Sequence, residues 1–338
     1  MRIRCHSPVL VANIFGNTRF VFLANIIWIF LLLPADLGIP SRMTKSFISN
    51  SNVAAMGSSS AVTESIPAMR TFRSVVATLR AHWPEYLMES AELAMFMISA
   101  CVVTAILEHP ASPLRHILTD DFTRRLITGL AMGLTLLALV HTSWGKRSGA
   151  HMNPAVTLMF FRLGKIAGPD AAFYAVFQFI GGVTGVFISL LLVGSGLAHP
   201  SVNFAATQPG MSGTVIAFIA ELLISFVLAI TVLVVSNHPR LARFTPYFAA
   251  TLVATYITFE APFSGMSMNP ARTFGSAFPA HMFQALWIYF TAPPLAMLLA
   301  AELYTRAGSA HAVYCAKLHH ANSQRCIFRC RYAEMKQG

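Results

Sequence analysis

Asn153-Pro154-Ala155 and Asn269-Pro270-Ala271 are the two places in this chain where residue type and spacing invite specific chemistry. They sit 116 residues apart in matching stretches, GAHMNPAVT at 149–157 and GMSMNPART at 265–273. Asn is a favoured N-cap, and Pro suits the first helical position because its missing N–H is not needed there. Each stretch therefore predicts an abrupt helix start, with unpaired N–H groups and a positive dipole end. That chemistry is hydrogen-bonding and electrostatic rather than covalent. No nucleophile–base pair or metal-centred constellation lies within the apolar segments, so an enzyme is not expected.

Two further sets carry chemistry. Glu92 (SAELAMF) and Glu221 (IAELLISF) lie within long apolar stretches. An ionisable group at membrane depth is expensive and functional by default. The pair is read as structural acceptors for backbone N–H groups of irregular loops, with a proton relay as the alternative. Gln178 is expected to do similar work, and Glu89 to be interfacial. Near the C-terminus, Cys315 and His319 are four apart, as are Cys326 and Cys330. On helices each pair would share a face, and a Cys3His set suits Zn²⁺ or another metal. The alternatives are reduced thiols with no partner, or a basic tail near anionic lipid through Lys317, Arg325, Arg329 and Arg331. A regulatory gate built from this cluster is a further hypothesis.

The elements that must position these groups are membrane spans. Of 338 residues, 55% are hydrophobic and only 11% charged, against about 25% charged in soluble domains. The net charge of +11 lies in tails and loops, without a basic face interleaved with aromatics, so no nucleic-acid partner is expected. Six apolar blocks are read at 88–107, 125–144, 171–193, 214–236, 244–259 and 283–304. The Asn-Pro-Ala helices fall between blocks two and three and between blocks five and six. Both are too short to span, so they read as re-entrant half-helices. Three spans per half make the halves an inverted repeat, about 88–194 and 213–305, with the site at the bilayer midplane. Lys146, Arg147, Arg162, Lys165, Arg240 and Arg243 put both ends of the 88–305 domain on the cytoplasmic side of a cell membrane. Residues 1–87 read as a tail, a signal, an anchor or an over-extended start, and 306–338 as a basic Cys/His tail.

These residues resemble the aquaporin (major intrinsic protein) family. The resemblance is carried by Ala91-Glu92-Leu93, Ser148 to Thr157, Gln178, Gly181-Gly182, Glu221, Ser264 to Gly275, and Trp287 to Phe290 with Pro293. It implies an all-α integral membrane fold with six spanning helices and two half-helices. It also implies a homotetramer with one pore per chain, passing water or small neutral solutes and excluding ions and protons. Gly181, Gly182 and Gly185 would allow close helix contact. Asn153 and Asn269 would aim side-chain N–H groups into the pore, and His151 would line a vestibule. By the same resemblance the selectivity constriction is Gly133 (Met132 if one residue is inserted), Ile257, Met266 and Arg272. Water is favoured as permeant over a glycerol, urea, ammonia, peroxide or metalloid facilitator, because Thr273 and Ala277 stand where glycerol-conducting relatives carry Asp and a basic residue. A proton-coupled transporter using Glu92 and Glu221 and a purely adhesive membrane protein are the remaining classes.

Overall fold

The computed structural model describes residues 67–309 and 313–335. The signal, anchor and start readings fall on residues outside this range. Eight principal helices run in order: α1 (Pro67–Glu108), α2 (Asp121–His141), α3 (Pro154–Arg162), α4 (Gly168–Val193), α5 (Gly213–Ser236), α6 (Thr245–Phe259), α7 (Pro270–Ala280) and α8 (Leu286–Tyr304). No strand occurs among the described residues. Helices α1, α2, α4, α5 and α8 are long and apolar enough to cross a membrane. Helix α6 is shorter, at 15 residues, and the short helix Ala261–Ser264 follows it. Helices α3 and α7, of 9 and 11 residues, are half-helices.

The packing repeats. Helix α1 lies along α4 and α5 along α8, pairing the first and third spans of each half. Helices α2 and α6 join the halves, while α3 packs on α8 and α7 on α4. Each half-helix therefore seats on the last span of the other half, and the repeats interlock.

The first helix begins about six turns before the apolar block expected at 88–107. Several of its early polar groups find partners inside the protein: Asp170 accepts from Tyr86 at 2.5 Å and lies 2.7 Å from His82 Nδ1, and Arg147 pairs with Glu85 at 2.9 Å. A hydropathy reading stops where charges begin, but these charges have partners supplied by α4 and the loop before α3.

Gly181 and Gly185 serve contacts within the chain. A Cβ at Gly181 would lie 2.1 Å from the Ser90 carbonyl oxygen, and one at Gly185 would lie 2.4 Å from that of Ala94. Gly182 faces the Ala271 carbonyl of α7 in the same way, at 2.6 Å. Helices α1, α4 and α7 therefore meet backbone to backbone, and these glycines do not argue for contact between copies. Gly181→Leu should force α1 from α4, at a cost of at least about 1–3 kcal/mol. The check is size-exclusion chromatography in detergent, where the variant should lose its monodisperse peak.

Candidate functional site

The two loops before the half-helices are built alike. Asn153 caps α3, its Oδ1 accepting from Ala155 N at 2.9 Å. Asn269 caps α7, accepting from Ala271 N at 3.0 Å and Arg272 N at 3.2 Å. The asparagine amides also reach across: Asn153 Nδ2 donates to the Met268 carbonyl and Asn269 Nδ2 to the Met152 carbonyl, each at 2.7 Å. One N–H of each amide thus locks the opposing loop, leaving the other available to the cavity. The half-helix N-termini face one another across this reciprocal clasp.

Behind each clasp the backbone is held in a sparsely populated conformation. Ala150 and Met152 have φ of 54° and 48°, and Met266 and Met268, offset by 116 residues, have 53° and 55°. Left-handed backbone at non-glycine residues persists only when surroundings over-determine it. Buried carboxylates do so. Glu221 accepts from Ser267 N (2.6 Å), Met268 N (2.7 Å) and the Ser264 hydroxyl (2.9 Å). Its counterpart in the first half is Glu89, which accepts from His151 N (2.8 Å), Met152 N (2.6 Å) and Gln178 Nε2 (2.9 Å). Glu92 receives only the Ser148 hydroxyl, at 3.1–3.2 Å. The role of Glu221 is therefore divided in the first half, and the residue expected at the interface carries the larger share.

Sequence reasoning missed the flanking pairs. Ser148 and Ser264 each accept from the N–H two residues on. Tyr174 and Tyr289 donate to the Ser148 and Ser264 carbonyls at 2.6 and 2.5 Å. Thr157 and Thr273 meet the side chains of His151 and Ser267. The constant 116-residue offset of the serine and threonine pairs was the available signal.

A cavity of about 440 Å³ runs past both Asn motifs. Its walls include Leu93, Phe96, Met132, Leu136, Val156, Leu228, Val232, Val253, Ile257, Met266 and Met268; Asn153, Asn269, His151 and Arg272 are among its polar lining residues, which also include Glu108, Arg125 and Gln208. Met132 faces it, whereas Gly133 lies at the α2–α6 interface, where a Cβ would be 2.8 Å from the Ala250 carbonyl. Gly133 is thus a helix-packing residue, and Met132, Ile257, Met266 and Arg272 form the lining set. Arg272 Nη1 is buried with no protein hydrogen-bond partner among the described residues.

At the other mouth stands the C-terminal segment. Leu318 lines the same cavity and donates its N–H to the Gly149 carbonyl at 3.1 Å. His151, expected as a vestibule residue, is buried under this segment: its Nε2 lies 2.7 Å from the Ala316 carbonyl oxygen, and its ring stacks on Phe328. Burial pushes the Lys165 and Lys317 ammonium groups there below the usual lysine range. The segment also brings together Cys315, His320, Cys326 and Cys330, with all ligand atoms within 4.8 Å of one another. His320 takes the place expected for His319, because the chain here is irregular and i,i+4 facing does not apply. His319 packs instead on His141, with ring centroids 4.8 Å apart.

Comparison with known proteins agrees with this architecture. The chain is 32% identical over 174 residues to a probable aquaporin, NIP7-1, of Arabidopsis thaliana, covering 51% of this chain and 61% of that protein. It is 36% identical over 160 residues to aquaporin TIP2-1 of the same plant (46% and 62%). It is 29% identical over 242 residues to aquaporin NIP2-1 of Oryza sativa subsp. japonica (68% and 79%). The match thus spans about three fifths of the length of the first two relatives. Among solved structures, the aquaglyceroporin from Plasmodium falciparum shares the fold, with a TM-score of 0.57 at 20% identity, covering 68% of this chain and 98% of that one. The model of the major intrinsic protein family matches residues 76–304, and the chain belongs to that family.

Proposed function

We propose that the chain is a passive channel for water and other small uncharged solutes, closed to ions and protons. The observation that carries this is one cavity, walled largely by apolar side chains, that runs past the paired Asn clasp and Arg272. A neutral molecule exchanges water hydrogen bonds for those donors and passes. A cation meets two half-helix N-termini, each about half a positive charge, and then a guanidinium. Glu89 and Glu221 are committed to loop N–H groups, which disfavours a proton relay through them. Family membership supports a channel over an enzyme and a homotetramer with one pore per chain. The basic residues at the Leu318 mouth favour its facing the cytoplasm.

A second reading, a neutral-solute facilitator with minor water flux, is favoured by the lining set Met132, Ile257 and Met266, which has no aromatic or His. Stopped-flow light scattering on proteoliposomes separates the two by comparing water with glycerol, urea and hydrogen peroxide. Because Leu318 lines the cavity at one mouth, the full chain is compared with the full-length variant L318G/F328A. Water flux well above protein-free vesicles is expected in the variant. Flux equal to protein-free vesicles in both forms would dismiss the channel.

A further inference from the structure

The C-terminal segment is ordered without the usual means. Among residues 313–331 there is no helix or strand, yet Val313, Ala316, Leu318 and Phe328 are buried. So short an irregular segment has no core of its own, and small units of this kind generally need a disulfide or a metal as a staple. Its cysteines are free thiols. They converge with one imidazole: Cys315 Sγ lies 3.5 Å from Cys326 Sγ, and Cys330 Sγ lies 3.0 Å from His320 Nε2. A tetrahedral Zn²⁺, with bonds of about 2.3 Å to S and about 2.0 Å to N, sets its ligand atoms about 3.5–3.8 Å apart. The observed cluster needs only small adjustments to meet that. The surrounding groups suit a thiolate site. Tyr332 stacks on the His320 ring and directs its N–H at Cys330 Sγ from 3.4 Å, while the Lys317 ammonium ties the loop by donating to the Gln324 and Arg325 carbonyls.

The same segment touches several elements around the mouth. Besides Gly149 and His151, Tyr314 N donates to Asn237 Oδ1 after α5, Arg329 N donates to the Lys165 carbonyl after α3, and Arg325 reaches the Ala81 carbonyl of α1. Leu318 is the residue of this segment that lines the cavity.

We propose that Cys315, His320, Cys326 and Cys330 bind one Zn²⁺, and that this ion holds the C-terminal segment as a plug in the mouth of the cavity, so that metal removal opens the channel. The plug rests on the channel function proposed above; the metal site does not. A closed four-ligand site with no open position is structural rather than catalytic. Since the ligands lie in the segment and the plugging residue between them, losing the ion frees Leu318 without disturbing the Asn clasp.

The test uses full-length protein purified without metal-affinity capture. Elemental analysis should find close to one zinc per chain in the wild type and almost none in C326S/C330S. Cobalt exchanged into the wild type should give the visible absorption of a tetrahedral thiolate site, absent in the double variant. In proteoliposomes, a membrane-permeant zinc chelator should raise wild-type osmotic permeability several-fold, to the level of untreated C326S/C330S, and zinc should restore the low value. No bound metal, or a Cys315–Cys326 disulfide in the peptide map, overturns the metal site. Metal bound with equal, non-zero flux before and after chelation overturns the plug alone. Metal bound with no flux in any form, L318G/F328A included, overturns the channel function and the plug with it, and leaves the metal site standing.

Discussion

Glu89→Gln and Glu221→Gln should each lower the thermal unfolding midpoint in detergent sharply, while Glu92→Gln should change it little. Both oxygens of Glu221 are acceptors, Oε1 for Ser267 N and the Ser264 hydroxyl, Oε2 for Met268 N. Glu89 is used the same way by His151 N, Met152 N and Gln178 Nε2. Glutamine turns one acceptor into an NH₂, so whichever way the amide lies, a donor faces a donor. A buried N–H without a partner costs about 1–3 kcal/mol, and hydrogen bonds to charged groups carry about 1.5–3 kcal/mol each. The loss also removes a main restraint on the left-handed backbone at Met152 or Met268. Glu92 meets one hydroxyl, which can turn to accept from an amide, so its replacement by Gln should cost less than about 1 kcal/mol. Alanine at 89 or 221 should be worse still, leaving three donors unpaired and no folded material to measure. The experiment compares unfolding midpoints of the three glutamine variants. A fall for Glu92→Gln as large as for Glu89→Gln would refute the division of labour.

That ranking reverses what the primary structure implies, and the reason is geometric. Glu89 and Glu92 are i,i+3 neighbours on one face of α1, so periodicity cannot choose between them. The choice depends on depth: one turn of helix decides which carboxylate meets the strained loop. The AEL match between Glu92 and Glu221 points to the wrong turn. Met132 and Gly133 differ by about 100° of helix rotation, and gap-free counting carried no information on the rotation of α2. His320 rather than His319 faces the cysteines for another reason: i,i+4 facing holds on a helix, and this stretch is neither helix nor strand. What was legible is what is local or symmetric. The Asn-Pro pairs carry their own capping chemistry, the half-helices are too short to span, and the order of spans dictates an inverted repeat. The glycines of α4 were legible as sites of close approach but not as to whether the neighbour is α1 or a second copy.

Arg272→Val should make the channel leak cations while leaving it folded. The guanidinium sits in the cavity wall, and its Nη1 has no protein partner among the described residues, so removing it strands no buried acceptor there. The cap contact is made by the Arg272 backbone N–H to Asn269 Oδ1 and survives substitution. A cation about 4 Å from a guanidinium meets about 4 kcal/mol of repulsion at an effective dielectric of about 20, equivalent to almost three orders of magnitude in rate as a ceiling. The two half-helix dipoles remain, so the leak should rise by about ten- to a thousand-fold rather than become unselective. Arg272→Lys keeps the charge and should keep the exclusion, though its compact ammonium replaces a rigid fork of donors. The measurement is sodium and proton leak across proteoliposomes under an imposed gradient. It is made in the L318G/F328A background, because the proposed plug would hide any change at the opposite mouth. Water flux retained with an unchanged ion leak in Arg272→Val would show that the Asn clasp alone excludes charge. A leak that rises equally in Arg272→Lys would mean that the shape of the guanidinium, not its charge, closes the constriction.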